Sequence, residues 1–144
     1  MAPYVNFREM AVGDILPTVV KDPVTKTQLV RYAGASGDFN PLHTDDAVAQ
    51  KAGLKGVIAQ GPLIMGFVGQ AITRWVPKRD LKRFQVRFKG MTFPGDIISV
   101  SATLTEKVAE AENLRILCHT EAKDQKGEIK LTGQFEVLYP IDTA

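Results

Sequence analysis

The sequence predicts an α+β fold in which an antiparallel β-sheet wraps around one apolar helix. Three observations predict it. Pro62 to Trp75 carries Leu63, Ile64, Met65, Phe67, Val68, Ala71, Ile72 and Trp75, so the segment is apolar nearly all round and must be buried on most sides. The second half of the chain contains stretches in which apolar and polar residues alternate, the period of a strand with one buried face. Turn residues separate those stretches: Pro94-Gly95-Asp96, Glu112-Asn113 and Gln125-Lys126-Gly127.

Four strands follow from the alternation. Phe84, Val86 and Phe88 form an apolar stripe between Arg83, Gln85 and Arg87, and the stripe reads as core. Ile98, Val100, Ala102 and Leu104 alternate with Ser99, Ser101, Thr103 and Thr105. Ile116, Cys118, Thr120 and Ala122 share a phase opposite Leu117, His119, Glu121 and Lys123. Ile129, Leu131, Gly133, Phe135 and Val137 alternate with Lys130, Thr132, Gln134 and Glu136. On this phase Cys118 is buried and His119 is a surface residue.

The first half reads differently. Leu16 to Asp22 is a short strand. Thr25 caps a helix and Gln28, three residues on, can complete a capping box; Gly34 and Gly37 end the helix. Thr44 reads as a second N-cap, with Asp45 and Asp46 in the first turn, where negative charge suits the helix dipole, and that short helix closes near Gly53. Pro62 is suited to the first position of the apolar helix. Within it, Gly66, Gly69 and Ala71 either leave room for a ligand's tail or permit close packing of helix on sheet.

With 144 residues the chain is expected to form a single domain spanning 1–144. One cysteine excludes an intrachain disulfide, and the start of the chain lacks the apolar core of a signal peptide, so a cytoplasmic protein is expected. Val57 to Val76 is apolar, but Gln60, Gln70 and Arg74 interrupt it below the roughly 18 residues of a spanning helix, which argues against a membrane role. Lys78 to Lys89 holds six basic residues and one acid in a chain whose net charge is only +2. This stretch is either a solvated strand face or a patch for an anionic ligand or partner. No nucleic-acid motif accompanies it, and a nucleic-acid partner is not expected.

The stretch Ala35 to His43, "ASGDFNPLH", contains one of the two histidines, five residues after Asp38. Pro41 fixes its own φ and keeps Asn40 out of helical backbone, while asparagine braces turns through backbone bonds. A stiff loop results, with Asp38 and His43 able to turn toward one space. The same residues also suit an ordinary polar turn with a structural histidine.

The chain resembles the MaoC-like dehydratases, the family of (R)-specific enoyl-CoA hydratases and (3R)-hydroxyacyl-thioester dehydratases. The matching residues are "YAGASGDFNPLHTDDAVAQ", Tyr32 to Gln50, supported by "GVIAQGPLIMGF", Gly56 to Phe67, and "FPGDIISVS", Phe93 to Ser101. Similarity in plan runs from about Phe7 to Val137. The resemblance implies the hot-dog fold, commonly paired side by side, so a homodimer or higher oligomer is expected. It also implies reversible addition of water across the 2,3 double bond of an acyl-CoA or acyl-carrier-protein thioester, with no metal or organic cofactor. It assigns Asp38 and His43 to the acid–base pair and the Gly61 N–H to the thioester carbonyl. Asn40, Gln60 and Pro62 become substrate-side neighbours. Many members have His-Gly-Met where this chain has Gln60-Gly61-Pro62. Two alternatives remain: a non-catalytic acyl-thioester-binding subunit of a heteromeric pair, or a thioesterase on the same fold.

The chemistry needs these residue types. Attack of water on C3 needs a base, protonation of C2 an acid, and the carbonyl oxygen, as it gains charge, fixed donors. Histidine moves protons near neutral pH. A glycine at a helix N-terminus offers an outward N–H with no side chain in the way.

Overall fold

The computed structural model describes residues 3–141. In chain order the elements are β1 (Val19–Val20), α1 (Lys26–Ser36), α2 (Asp46–Lys51), α3 (Gly61–Trp75), β2 (Leu81–Phe88), β3 (Ser99–Glu110), β4 (Asn113–Lys123) and β5 (Ile129–Pro140). Single 3₁₀ turns lie at Pro41–His43 and Lys78–Asp80. The five strands form one sheet in the order β1-β3-β4-β5-β2, with every pairing antiparallel.

α3 packs against the inner face of that sheet. Its Ile64, Phe67, Val68, Ala71, Ile72 and Trp75 share one cluster with Ile98, Val100, Leu104, Ile116, Leu131, Phe135 and Val137. The Trp75 ring stacks on Phe135 at 6.1 Å, and its indole N–H donates to the Pro17 carbonyl at 2.8 Å, so the one polar atom of the ring is satisfied. Among the described residues no helix is long and apolar enough to cross a membrane. Cys118 lies on the inner phase of β4, where burial pushes its thiol up to about 12. His119, on the outer phase, contacts Glu121 at 3.3 Å.

Helix entries and exits follow local chemistry, with small differences from the sequence expectation. Thr25 caps α1 by accepting from the Gln28 N–H at 3.1 Å. Gly34 lies inside that helix; the end is made by Gly37 at φ 76°, a left-handed position that costs glycine nothing. Asp45 rather than Thr44 caps α2. Its carboxylate accepts from the Ala47 N–H at 2.9 Å, while Thr44 closes the preceding 3₁₀ turn. α3 begins at Gly61, one residue before the proline. Of the expected strand from Leu16 to Asp22, only Val19–Val20 pairs as a strand; Pro17 has no N–H to give the ladder.

Two apolar-phase readings are corrected. Phe84 and Val86 are half-buried, but Phe88 is 54% exposed. β2 is the sheet's edge, and among the described residues no strand lies beyond it to cover that end. On β5, Lys130 is the buried residue, at 3% exposure, and Ile129 is the exposed one. An irregularity in the β4–β5 register pairs Ala122 with Leu131 but Lys123 with Ile129, so Lys130 is an extra residue turned inward. Its ammonium meets Asp124 at 3.3 Å, Glu128 at 3.3 Å and the Met91 carbonyl at 2.7 Å.

Burial alone would raise the Asp124 carboxyl. Amide bonds from Glu128 and Lys126 and the Lys130 ammonium outweigh that and hold it below its ordinary 3.8. A depressed carboxylate stabilises the fold above its unfolded value and loses that contribution as pH falls through the folded value. Urea unfolding from neutral pH down to about pH 3 checks this. Asp124→Asn is less stable than the parent at neutral pH, and the gap closes as the solution is acidified below about pH 4.

Candidate active site

The loop between α1 and α2 is braced by a run of short-range bonds. Gly37 turns the chain out of α1, and the Asp38 N–H donates to Ser36 Oγ at 3.2 Å. Asp38 Oδ1 accepts from the Asn40 N–H at 3.2 Å, and Asn40 Oδ1 accepts from the Leu42 N–H at 3.1 Å. Pro41 occupies the first position of the 3₁₀ turn that ends at His43. These bonds consume Asp38 Oδ1 and leave Oδ2 free to face His43, whose Nε2 lies 3.4 Å away. The His43 side chain is 12% exposed and that of Asp38 46%.

The other imidazole nitrogen is held from behind. His43 Nδ1 lies 2.8 Å from the Ile58 carbonyl, an acceptor only, so the proton of the neutral ring belongs on Nδ1. Nε2 then carries a lone pair. A lone pair and a carboxylate oxygen do not bond each other, but a molecule with two O–H donors between them satisfies both. Water has that pair of donors.

Ile58 belongs to a short strap leading into α3, and four consecutive residues of it are tied to four different parts of the chain. The Val57 N–H donates to Asp46 Oδ1 at 2.9 Å. Ile58 donates to the Leu42 carbonyl at 3.1 Å while accepting from His43. The Ala59 N–H donates to the Thr92 carbonyl at 2.8 Å, and Gln60 Nε2 to the Leu29 carbonyl at 3.0 Å. Asp46 is itself paired with Lys26, and the Lys26 ammonium together with the Val57 amide bond holds its carboxyl below the ordinary carboxylate value. Gly61 follows as the first residue of α3, and its N–H has no hydrogen-bond partner among the described residues.

The structure therefore brings Asp38 and His43 together and joins them, through Ile58, to the segment ending at Gly61. The expected substrate-side residues divide. Asn40 spends its side-chain oxygen on the loop. Pro62 is exposed beside Gly61. Gln60 points inward, 1% exposed, with its Oε1 unpartnered among the described residues. Sequence reading passed over Ile58 and Asp46. Ile58 acts through its main chain, which no side-chain pattern reveals; Asp46 was assigned only to a helix turn. Among the described residues, no group of three or more His, Cys, Asp or Glu side chains could share a metal ion.

A family model described as the MaoC like domain matches residues 9–124. Enoyl-CoA hydratase 2, peroxisomal, of Arabidopsis thaliana is 31% identical over 123 residues, covering 83% of this chain and 37% of that protein. The fatty acid synthase subunit beta of Gibberella zeae is 30% identical over 142 residues, covering 96% of this chain and 6% of that one. The chain thus spans well under half the length of both relatives. Among solved structures, the unliganded R-hydratase PhaJ1 of Pseudomonas aeruginosa aligns with a TM-score of 0.82 at 26% identity, covering 96% of this chain and 88% of that one.

The tautomer of His43 is directly measurable. Nitrogen-15 NMR of the ring in its neutral form shows the proton on Nδ1. A ring protonated on Nε2 would contradict the Ile58 anchor and leave no acceptor toward Asp38.

Proposed function

Starting from a chain that belongs to the MaoC-like domain family, we propose that it is a hydro-lyase adding water to trans-2-enoyl thioesters to give (R)-3-hydroxyacyl thioesters, and running in reverse. The observation that carries this reading is the 3.4 Å approach of His43 Nε2 to Asp38 Oδ2, with His43 Nδ1 tied to Ile58.

A water between the two donates one O–H to the carboxylate and one to Nε2. Its oxygen keeps a lone pair for C3. An imidazole is a stronger base than a carboxylate, so Nε2 takes the proton as the C3–O bond forms, and Asp38 steadies the imidazolium. The electron pair of the double bond moves toward the thioester oxygen. The Gly61 N–H, unspent and at the positive end of α3, donates to that oxygen. Return of a proton from the pair to C2 completes the addition, so one water is consumed and no redox partner is needed. The substrate is a thioester of coenzyme A or of a carrier protein.

A homodimer fits the same reading. The outer edge of β2 has no strand partner among the described residues, and its apolar phase is only half covered at Phe84 and Val86. A second copy adding its own β2 antiparallel would continue the sheet and cover that edge, which otherwise presents unpaired backbone groups.

Two measurements test the proposal. Purified protein mixed with crotonyl-CoA loses the enoyl thioester absorbance. Asp38→Asn and His43→Ala each reduce the rate at least about 100-fold while remaining folded. Near-normal rates in both variants, or release of free thiol without loss of the double bond, would contradict the assignment. Native mass spectrometry gives twice the mass of the chain; a monomer with full activity would contradict the paired edge.

A further inference from the structure

β2 and α3 meet at two points with matched spacing. The four residue steps from Phe84 to Phe88 span about 13 Å along the strand, and the eight steps from Gly69 back to Gly61 span about 12 Å along the helix. Each phenylalanine meets a glycine. A Cβ built on Gly69 would lie 3.9 Å from the Phe84 ring. A Cβ on Gly61 would lie 3.1 to 3.4 Å from three atoms of the Phe88 ring, closer than ordinary contact. The ring of Phe88 is therefore seated on the residue whose N–H is the proposed carbonyl donor. Its backbone is held by β5: Phe88 is in register with the buried Leu131, and the next N–H, of Lys89, donates to the Lys130 carbonyl at 2.9 Å. Yet the residue is 54% exposed, so the ring is not enclosed by this chain.

The geometry points to Phe88 as a specificity-determining residue of this site, one that closes a side of the thioester slot and excludes a substituent at C2 of the acyl group. This rests on the hydratase reading above. A carbonyl oxygen accepting from Gly61 stands about 3 Å from its nitrogen. The nitrogen and the Cβ position are bonded to the same Cα and stand about 2.5 Å apart, so a ring in contact with the second lies close to a carbonyl that the first receives. C2 is bonded directly to the carbonyl carbon. A hydrogen on C2 passes beside the ring; a methyl group must enter the space the ring fills. Gly61 is constrained by the same contact, since any side chain there would displace the ring.

The experiment compares kcat/KM for crotonyl-CoA and for 2-methylcrotonyl-CoA in the parent, Phe88→Ala and Phe88→Leu, with native mass recorded for each. The parent favours crotonyl-CoA. Phe88→Ala narrows that preference at least about tenfold, and Phe88→Leu falls between, because one methyl group in a tight site is worth that order of discrimination. A ring that served only to cover the edge of β2 would change mass or lower both rates together and leave their ratio alone. An active parent whose preference is unchanged in both variants overturns this inference and leaves the hydratase reading standing. A parent that does not hydrate crotonyl-CoA overturns both.

Discussion

The site depends on how the strap from Val57 to Gln60 is held. Each of its residues is bonded to a different region: α2 through Asp46, the Asp38–His43 loop through Leu42 and His43, the segment after β2 through Thr92, and α1 through Leu29. Ile58 makes two bonds. Its carbonyl sets which nitrogen of His43 bears the proton, and its N–H fixes the loop that carries the ring. The Gly61 N–H then opens α3 with no acceptor among the described residues. A buried helix start is costly when its amides are unmet, so a helix end that withholds an N–H is prepared to receive an oxygen from outside.

The support continues into the sheet. Thr92 is held near the strap by a segment whose Met91 carbonyl accepts from Lys130, and Lys130 is turned inward by the irregular pairing of β4 with β5. Asp124 meets that ammonium and also accepts the Lys126 and Glu128 N–H groups at 2.9 Å. Removing one member of such a pair leaves a buried charge unmatched, which costs more than the pair contributes. A chain of bonds therefore runs from the β4–β5 turn through residues 91 and 92 to the strap, and from there to the imidazole.

Much of this was legible in the sequence. The apolar residues of 62–75 announced a helix packed on the sheet, though it is buried on one face only, with Gly66, Gln70, Thr73 and Arg74 exposed on the other, and the period-two stretches announced the sheet. Asn40-Pro41 between Asp38 and His43 announced a stiff loop, because asparagine and proline act on the backbone nearest them. What stayed hidden acts over distance or through main chain. Lys130 read as outward because alternation assumes an unbroken register, and one inserted residue reverses it. Phe88 read as core because strand phase says which face a residue is on but not whether the edge is covered. Asp45 and Thr44 are both good caps, and the choice fell on the residue already outside the 3₁₀ turn. Ile58 looked like any apolar residue; its contribution is a carbonyl.

In the proposed reaction one water-derived oxygen and one thioester carbonyl meet three fixed groups: Asp38, His43 and the Gly61 amide. A crystal structure of the Asp38→Asn variant soaked with (R)-3-hydroxybutyryl-CoA tests this most directly. The predicted result is a thioester oxygen about 3 Å from Gly61 N and the C3 hydroxyl within hydrogen-bond reach of His43 Nε2. A thioester carbonyl bound away from the start of α3, or a C3 hydroxyl remote from His43, would contradict it.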